Sequence, residues 1–329
     1  RLPEHLERLA DAGVDALIVA DLGAFTMAGK YAPRCQRHIS TQASICNYET
    51  ARAWYDLGAS RVILARELSL AEIRTIREKT PSDLEIEAFV HGAMCVSYSG
   101  RCLLSNYMTG RDSSRGACAQ PCRYQYALME EKRPGEYFPI EEDAQGTYIL
   151  NSRDMCMIDH LDDLIDAGLS SLKIEGRAKS AYYAAIVTGA YRHCLDAAAE
   201  GRAPEQAWRD EVEHVSHRPY STGFYYGAPG QYYNNSRYIR EWQVVALVTD
   251  CDEEGNATLS LRNKFRTGDT VELVGPDTAP FSMVVPPMVD AEGAPLEEPR
   301  TPQMVFRMKL PRNVPAYTLV RHAVELSAK

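Results

Sequence analysis

Five cysteines fall in a stretch of the chain that is rich in Gly, Ser and Arg. Cys95, Cys102, Cys118 and Cys122 lie within 28 residues, and Cys156 follows in the string NSRDMC. A core thiol behaves as a small hydrophobe and usually lies in an apolar, periodic element, so cysteines clustered in a polar stretch favour metal ligation. Four thiolates suit either zinc or an iron–sulfur cluster. Because structural zinc sites favour closely paired cysteines and only Cys118 and Cys122 are so paired, the spacing favours a cluster over zinc or no metal.

A second set of candidates has charged or titratable side chains at the ends of predicted strands. His91 ends the strand EIEAFV, at the edge where barrel enzymes carry their chemistry, although a hydrogen-bonded core histidine is the alternative. Lys173, Glu175 and Arg177 alternate in KIEGR, so a strand there would point all three toward the barrel lumen. Since charged groups are rarely buried unpaired, the three form either a network that closes the barrel or a site for a small anionic substrate.

Three further residues carry weaker signals. Arg66 and Glu67 end another predicted strand in LAREL and are candidates of lower rank. Asp154 in NSRD either acts in the site or caps the helix that follows.

Arginines concentrate in the cysteine-rich stretch. Residues 101–123 contain Arg101, Arg111, Arg115 and Arg123 against one acid, Asp112, which gives a local charge of +3 in a chain of net charge −9. The acidic total excludes broad non-specific binding to nucleic acid, so RNA contact needs a local patch of this kind. Nearby tyrosines could stack unpaired bases: Tyr98, Tyr107, Tyr124 and Tyr126. The alternative is a solvated loop whose arginines pair with acids.

The elements that must position these residues repeat one sequence pattern. Each repeat has an amphipathic helix, then a Gly, a short apolar strand and a polar turn. Three copies are LADAGVDALIVADLG, WYDLGASRVILAREL and LIDAGLSSLKIEGR, with further strands at 37–40, 85–90 and 148–151. Such alternation indicates a parallel sheet covered by helices. We predict an α/β fold, a TIM-type (β/α) barrel over residues 1–238 that is truncated at its N-terminus, since eight strands need ~250 residues. An open doubly wound sheet is the alternative.

The pattern breaks twice. Residues 95–133 lack periodicity and are too long for an ordinary loop, so they read as a cysteine-rich functional insertion. After a predicted helix at 180–200, short alternating strands separated by turns such as EEGN and TGD fill residues 242–322. They predict a small all-β domain, a barrel or sandwich.

Compartment and redox state follow from composition. The chain has no apolar run of about 18 residues and no signal-peptide pattern at its start, so we expect a cytoplasmic protein with no membrane contact. Its nine cysteines are an odd number, which favours reduced thiols over disulfides.

Several strings resemble the blocks of the collagenase-like peptidase family of unassigned mechanism. They are EAFVHGAMCVSYSGRCLLSNY, RGACAQPCRYQY, NSRDMCMIDHL and LKIEGRAKSAYYAA. The resemblance implies a 4Fe–4S cluster held by Cys95, Cys102, Cys118 and Cys156, with Cys122 as the alternate to Cys156. It also implies RNA hydroxylation without molecular oxygen, with prephenate as the expected co-substrate and an unidentified redox partner.

The resemblance leaves a choice between functions. Its tRNA branch, which the short β-rich tail resembles, installs 5-hydroxyuridine at the wobble position of tRNA, whereas other branches hydroxylate ribosomal RNA or a quinone precursor. A peptidase, as the family's label implies, is the competing enzyme, but the chain has no H-E-x-x-H and no G-x-S-x-G motif. A purely structural RNA-binding module with a cluster is the third class.

Overall fold

The computed structural model describes residues 1–94, 102, 104–124, 127–128, 134–135, 138–139, 152–230 and 239–324. The chain divides into two compact units. The first unit comprises residues 1–175 and 218–237, and the second comprises residues 176–217 and 238–329. This grouping differs from the predicted ranges 1–238 and 242–322, because segment 176–217 goes with the β-rich residues. The predicted strand at 148–151 lies outside the described residues.

The first unit is built from short helices and strands in alternation. Its helices are α1 (Leu2–Asp11), α2 (Leu22–Tyr31), α3 (Tyr48–Asp56), α4 (Leu70–Glu78), α5 (Leu104–Thr109) and α6 (Leu161–Asp166). Its strands are β1 (Ala16–Val19), β2 (Gln36–Ile39), β3 (Arg61–Ile63), β4 (Glu85–Ala93), β5 (Ala127–Leu128), β6 (Phe138–Pro139), β7 (Asp154–Cys156), β8 (Ser171–Ile174) and β9 (Tyr220–Ser221).

Five of these strands form a parallel array in the order β1, β2, β3, β4, β8. The strands lie side by side in the order in which they follow along the chain. Such an order is typical of a singly wound (β/α) arrangement, whereas in a doubly wound sheet the strand order reverses. Strand β7 pairs antiparallel with the end of β4, and β9 pairs parallel with β7. Within the described residues β1 and β8 do not pair, so the mixed α/β prediction is confirmed and a closed TIM barrel is not.

The two faces of the parallel array differ in chemistry. One face buries apolar side chains such as Val62 and Ile86 against the helices. The register aligns His38, Arg61 and Glu85 on the opposite face. Because registered neighbours in a parallel sheet point to the same side, this second face carries a row of charged and polar groups.

Helix starts in the first unit are set by capping side chains. The Asp21 and Asn47 side chains accept backbone N–H groups at the starts of α2 and α3. Ser69 and Glu72 form a capping box at the start of α4. These caps fix where each strand-to-helix loop ends, and so fix the edge of the array at which the candidate residues lie.

The second unit combines two helices with an antiparallel sheet. Its helices are α7 (Ala181–Ala199) and α8 (Gln206–Asp210), and its strands are β10 (Trp242–Cys251), β11 (Asn256–Leu261), β12 (Thr270–Gly275), β13 (Thr278–Val284), β14 (Met288–Asp290), β15 (Pro295–Leu296), β16 (Val305–Lys309) and β17 (Leu319–Ala323). The eight strands follow the order β13, β12, β17, β10, β11, β16, β14, β15. Their inner side chains, among them Leu259, Leu273 and Phe306, form one apolar core, so the all-β prediction for this part is confirmed.

One buried arginine ties the helical part of the second unit to its sheet. The Arg321 side chain on β17 is fully buried and donates to both carboxylate oxygens of Glu211, at 2.7 and 2.6 Å. It also donates to Glu272 at 2.9 Å, to the Tyr182 hydroxyl at 3.0 Å and to His214 Nδ1 at 3.0 Å. Burial opposes ionisation of Glu211, but its bonds to His214 and Arg321 outweigh burial and lower its pKa.

No helix in the described part of the chain is both long enough and apolar enough to span a bilayer.

Candidate functional site

The site forms at the carboxyl edge of the parallel array, where β7 and β9 add to it. His91 lies on β4 and is 1% exposed. Its Nε2 atom is 3.4 Å from the hydroxyl of Tyr220 on β9. In the β4–β7 register His91 is the partner of Cys156, one of the predicted cluster ligands. The sheet therefore brings a buried imidazole, a phenol and a cysteine to one place.

An arginine reaches the same edge from the loop after β3. Arg66 is 7% exposed and donates to the Ala93 carbonyl at 3.0 Å. Its guanidinium carbon lies 3.7 Å from the centroid of the Phe89 ring, and one terminal nitrogen is 3.7 Å from the Glu175 carboxylate. The Ala93 carbonyl and the Phe89 ring thus hold the guanidinium plane in place, while the ion pair with the partly exposed Glu175 is long, at 3.7 Å.

Gly92 allows β4 and the residue after β8 to approach closely. It adopts φ +104°, a conformation that strongly favours glycine. A Cβ atom there would lie 2.3 Å from the backbone oxygen of Glu175. The Glu175 N–H donates to the His91 carbonyl at 2.9 Å. A side chain at position 92 would therefore push Glu175 away from His91 and from Arg66.

Asp154 has a different place from the predicted helix cap. It lies on β7, is 1% exposed, and accepts the Arg218 backbone N–H through Oδ2 at 3.2 Å. The helix-cap alternative is wrong, because residue 154 belongs to a strand and α6 begins seven residues later. Next to it, the Ser152 hydroxyl donates to the Met94 carbonyl at 2.8 Å. The Ser152 bond holds the start of β7 against the end of β4, and the Asp154 bond holds β7 against the residues that precede β9.

Lys173 belongs to a separate charged layer deeper on the polar face. Its ammonium lies 3.0 Å from the Glu87 carboxylate, which also takes Arg61 at 3.0 Å and the Ser171 hydroxyl at 2.9 Å. Burial opposes ionisation of Glu87, but Lys173, Ser171 and Arg61 outweigh burial and lower its pKa. Burial, followed by the charge of Arg61, lowers the pKa of His38 in the same layer. This arrangement favours the structural alternative for Lys173.

Arg177 is not positioned by strand alternation. Strand β8 ends at Ile174, so neither Glu175 nor Arg177 belongs to it, and the predicted strand alternation does not reach residue 177. Arg177 is exposed in a turn and belongs to the second unit. Its predicted role in substrate binding stays a prediction.

Three of the predicted or alternate cluster cysteines lie in segment 102–124. Cys102, Cys118 and Cys122 are partly exposed, as is Cys156 on β7, and the described cysteines are not joined by disulfides. The Cys118 sulfur accepts the backbone N–H of Gln120 at 3.3 Å, and Gln120 adopts φ +58°. Such N–H···S bonds are among the interactions by which proteins tune thiolate ligands of clusters.

The same segment is anchored to the parallel array. The Gln42 amide donates to the Ser113 carbonyl at 2.8 Å, and the Ser113 hydroxyl donates to the Cys102 carbonyl. Gln42 lies in the loop after β2, so the segment is held at the carboxyl edge. Cys95 lies outside the described residues, so the four-cysteine set as a whole is not defined.

A single shared ion is not supported by the cysteines that the structure describes. Among the described residues, the group of three ligand atoms that lie within 4.8 Å of one another is Glu211, His214 and Glu272, and it contains no cysteine. The nitrogen of Arg321 already occupies hydrogen-bonding positions on both of those glutamates. A cubane cluster binds each thiolate to a different iron atom and needs wider spacing, so the cluster stays a prediction.

Two of the four predicted RNA-binding arginines are described with their side chains. Arg111 is exposed. Arg115 is 83% exposed and lies 3.5 Å from the Asp112 carboxylate. Arg101 and the side chain of Arg123 lie outside the described residues. The pairing of Arg115 with an acid matches the alternative expected for a solvated loop, but a pair this exposed costs little to break.

Family models match both parts of the chain. The model described as peptidase family U32 matches residues 1–235, and the one described as peptidase family U32 C-terminal domain matches residues 240–321. The chain belongs to peptidase family U32. The resemblance stated from the cysteine-containing strings is thereby confirmed.

Relatives of this U32 chain carry names from RNA modification. The "tRNA hydroxylation protein P1" of Bacillus subtilis is 37% identical over 97% of this chain and 77% of its own length. The "tRNA hydroxylation protein P" of Escherichia coli is 37% identical over 82% of this chain and 69% of its own length. The "23S rRNA 5-hydroxycytidine C2501 synthase" of Escherichia coli is 42% identical over 59% of this chain and 28% of its own length.

The sequence prediction for this U32 member omitted Tyr220 and Arg218 and gave Arg66 a low rank. Strand β9 is two residues long, too short for any periodic pattern to mark Tyr220. Arg66 carried one usable signal, an arginine directly after the apolar run RVILA. An arginine placed at the carboxyl end of a buried parallel strand is a candidate site residue in a (β/α) fold.

Proposed function

We propose that this U32 protein hydroxylates RNA, and specifically that it converts the wobble uridine of tRNA to 5-hydroxyuridine. The observation that carries the proposal is 37% identity to the Bacillus subtilis tRNA hydroxylation protein P1 over 97% of the chain. Partial similarity to an rRNA 5-hydroxycytidine synthase supports the broader class, since that protein's name also describes hydroxylation of a pyrimidine in RNA. We further propose that the reaction depends on prephenate and does not use molecular oxygen.

The proposed cofactor is a 4Fe–4S cluster held by Cys95, Cys102, Cys118 and Cys156. The described thiols fit such a group, because they are partly exposed, lie outside disulfides, and include a sulfur that accepts a backbone N–H. A bound cluster would supply one-electron redox chemistry at the edge where Cys156 pairs with His91. The fourth ligand remains a choice between Cys156 and Cys122, and Cys156 is favoured by this pairing.

The protein's own groups at this edge suit an anionic co-substrate. Arg66 is held by the Ala93 carbonyl and the Phe89 ring, so its guanidinium is oriented before any substrate binds. Its link to Glu175 is long, at 3.7 Å, and Glu175 is partly exposed. A carboxylate that binds bidentately to Arg66 would replace a weak ion pair with a stronger one. We therefore assign Arg66 to co-substrate binding.

His91 and Tyr220 can hold or move a proton beside that site. The Tyr220 hydroxyl and His91 Nε2 are 3.4 Å apart, a long hydrogen bond in which either group can donate. His91 is 1% exposed, so water competes little for its ring nitrogens. General acid–base work needs a group positioned in this way. In this proposal His91 carries the proton and Tyr220 orients the imidazole.

The test of this function is nucleoside mass spectrometry of tRNA from a strain that lacks the protein. We expect 5-hydroxyuridine at the wobble position to disappear, and to return with the wild-type chain and with the matched variant Arg74→Met, whose arginine is exposed on α4. Arg66→Met should fail to restore it. Unchanged wobble uridine modification in the deletion strain would refute the proposed function.

A separate test concerns the RNA contact in segment 102–124. Replacing both Arg111 and Arg115 by Glu should weaken tRNA binding and flatten its dependence on salt by about two phosphate contacts, each worth ~0.9 or less of slope. Stability should change little, because exposed substitutions usually cost under ~0.5 kcal/mol. Unchanged affinity and slope in the double variant would place the RNA surface elsewhere.

A further inference from the structure

The second unit contains a cavity of about 390 Å³, lined by both charged and aromatic residues, that the proposed reaction does not use. It lies beside the first turn of α7 and the start of β10. The lining includes Lys179, Tyr182, Arg240, Trp242, Gln243 and Asn263. A volume of this size is within the usual range for small-ligand pockets, from about 300 Å³ upward.

The charge of the cavity is positive. Among the residues that the structure describes, its lining contains one lysine and one arginine and no carboxylate. Both cations are fixed by Ser216, since Lys179 Nζ donates to its carbonyl at 2.5 Å and Arg240 Nε donates to its hydroxyl at 3.3 Å. An ammonium and a guanidinium are both charged donors, and hydrogen bonds from such donors to phosphate oxygens are among the stronger ones in proteins. Although the chain is acidic overall, the two cations make the cavity locally positive, which favours binding of an anion.

The cavity also has aromatic and amide surfaces. The Trp242 ring is held by the buried Arg321 guanidinium at 4.7 Å and by the His214 ring at 4.8 Å. An indole fixed in this way loses little entropy when a flat ring stacks on it. Gln243 and Asn263 carry both a donor and an acceptor, which the edge of a nucleobase requires.

Sequence neighbours extend the positive charge beyond the cavity. Arg262 and Lys264 flank Asn263, and both are exposed. One acid, Glu241, lies between the lining residues Arg240 and Trp242 and is also exposed. A small dianion would need only the two cations of the lining, whereas an RNA strand would also use the neighbouring ones.

We propose that this cavity binds one unpaired nucleotide of the substrate RNA, with the phosphate at Lys179 and Arg240 and the base against Trp242. The inference rests on the proposed function, because it takes RNA to be the substrate. It assigns to the second unit a contact that holds the RNA, separate from the site at the edge of the parallel array. Since phosphate contacts fix register and carry no sequence information, the cavity would position many tRNAs alike.

The experiment measures binding of unmodified tRNA to the full-length protein by fluorescence anisotropy over a range of salt concentrations. The double variant Lys179→Gln/Arg240→Gln should raise Kd by at least about tenfold, since a charge-assisted bond is worth about one tenfold step. The slope of log K against log salt should fall by about two, roughly one for each cation removed. Trp242→Ala should raise Kd without changing that slope.

The matched control is Arg300→Gln. Arg300 is an exposed arginine of the same unit, paired with Glu298 at 3.3 Å, and it is not part of the cavity lining. Its Kd and slope should stay at the wild-type values. A thermal unfolding midpoint is recorded for each variant, and Arg240→Gln alone, which keeps the Lys179 bond to Ser216, replaces the double variant if that variant is unfolded.

The outcomes separate this inference from the proposed function. If the wild-type protein modifies and binds tRNA but the cavity variants behave like Arg300→Gln, the cavity assignment is wrong and the function stands. If wild-type protein binds no tRNA and the deletion strain keeps its wobble modification, the function itself fails. Malonate, a small dianion, and UMP are compared by their effect on the unfolding temperature. If malonate raises this temperature for the wild type but not for the Arg240→Gln variant, and UMP does not raise it for the wild type, the cavity binds a small acid and the nucleotide assignment is overturned.

Discussion

Replacing Arg321 by Met tests how the second unit is held together. The side chain is fully buried and makes bonds to four residues, Glu211, Glu272, His214 and Tyr182. Methionine fills part of the volume but satisfies none of the acceptors. Glu211, which is 1% exposed, would remain as a buried carboxylate without its cation.

The expected loss of stability is large. Breaking a buried ion pair by removing one partner costs about 3–5 kcal/mol, because the remaining charge is left in a poorly solvated place. The free energy of unfolding of a typical domain is about 5–15 kcal/mol in total, so the variant should be close to unfolding under mild conditions. The double variant Arg321→Met/Glu211→Gln should recover part of this loss, since it removes the uncompensated charge as well.

The loss should depend on pH in a defined direction. In the wild type the pKa of Glu211 is lowered, so its contribution is fully present above the unfolded pKa of about 4.3 and is lost as pH falls through the folded pKa. In Arg321→Met the bond to His214 remains but the guanidinium is lost, so burial should raise the pKa of this carboxyl above its wild-type value, and keeping it ionised at neutral pH should cost stability. The difference in stability between the two proteins should therefore be largest near pH 8 and narrow toward pH 5.

Tryptophan fluorescence during urea unfolding can follow this unit alone. Of the three tryptophans, Trp208 and Trp242 lie in the second unit and Trp54 in the first, so a Trp54→Phe background isolates the signal. Arg300→Met, a change at an exposed arginine, serves as the control. A loss below about 1 kcal/mol, or a loss that is the same at pH 5 and pH 8, would refute the reasoning that the network holds this unit.

Three further predictions concern the first unit. Gly92→Ala should lower the free energy of unfolding by more than Gly13→Ala does. Both positions have positive φ, which alone costs an alanine about 1–3 kcal/mol, but only at position 92 would the added Cβ also contact backbone. Urea unfolding of the two variants measures this difference. Cys156→Ser should lower the iron content of anaerobically purified protein from about four atoms per chain, whereas Cys122→Ser should leave it unchanged. If metal analysis gives the reverse result, Cys122 is the ligand. Tyr220→Phe should reduce wobble hydroxylation and change its pH profile while leaving the thermal midpoint within a few degrees; an unchanged profile would count against a role in orienting the histidine of β4.

The regular elements could be predicted because each one carries a periodic pattern. The strand predicted at 85–90 lies within β4, and the helix predicted at 180–200 agrees with α7, whose cap is the Ser180 side chain. The short alternating strands predicted over residues 242–322 correspond to the strands β10 to β17 of the second unit. Alternation of apolar and polar residues sets these elements locally, so one sequence suffices to find them.

The parts that escaped prediction depend on contacts distant in sequence. Strand β7 has three residues, and it exists because Asp154 and Cys156 pair with the end of β4. Arg321 lies in the predicted β-rich stretch 242–322, but nothing local indicates that Glu211 would meet it 110 residues away. The closed barrel also could not be judged, since closure needs pairing between the first and last parallel strands.

Two cations of the first unit differ in how closely their carboxylate partners approach them. Lys173 lies 3.0 Å from a Glu87 carboxylate that is 8% exposed, and Arg61 and Ser171 complete the bonds of that carboxylate. A substrate anion would have to compete with this short ion pair to bind Lys173.

Arg66 is the opposite case. Its ion pair with Glu175 spans 3.7 Å, and the Glu175 side chain is 26% exposed. A bound carboxylate could displace it while the Ala93 carbonyl and the Phe89 ring keep the guanidinium in place. A substrate competes for a cation against the contacts that it must replace, so the longer pair supports the proposed assignment of Arg66 to co-substrate binding, and the shorter contacts support the structural alternative for Lys173.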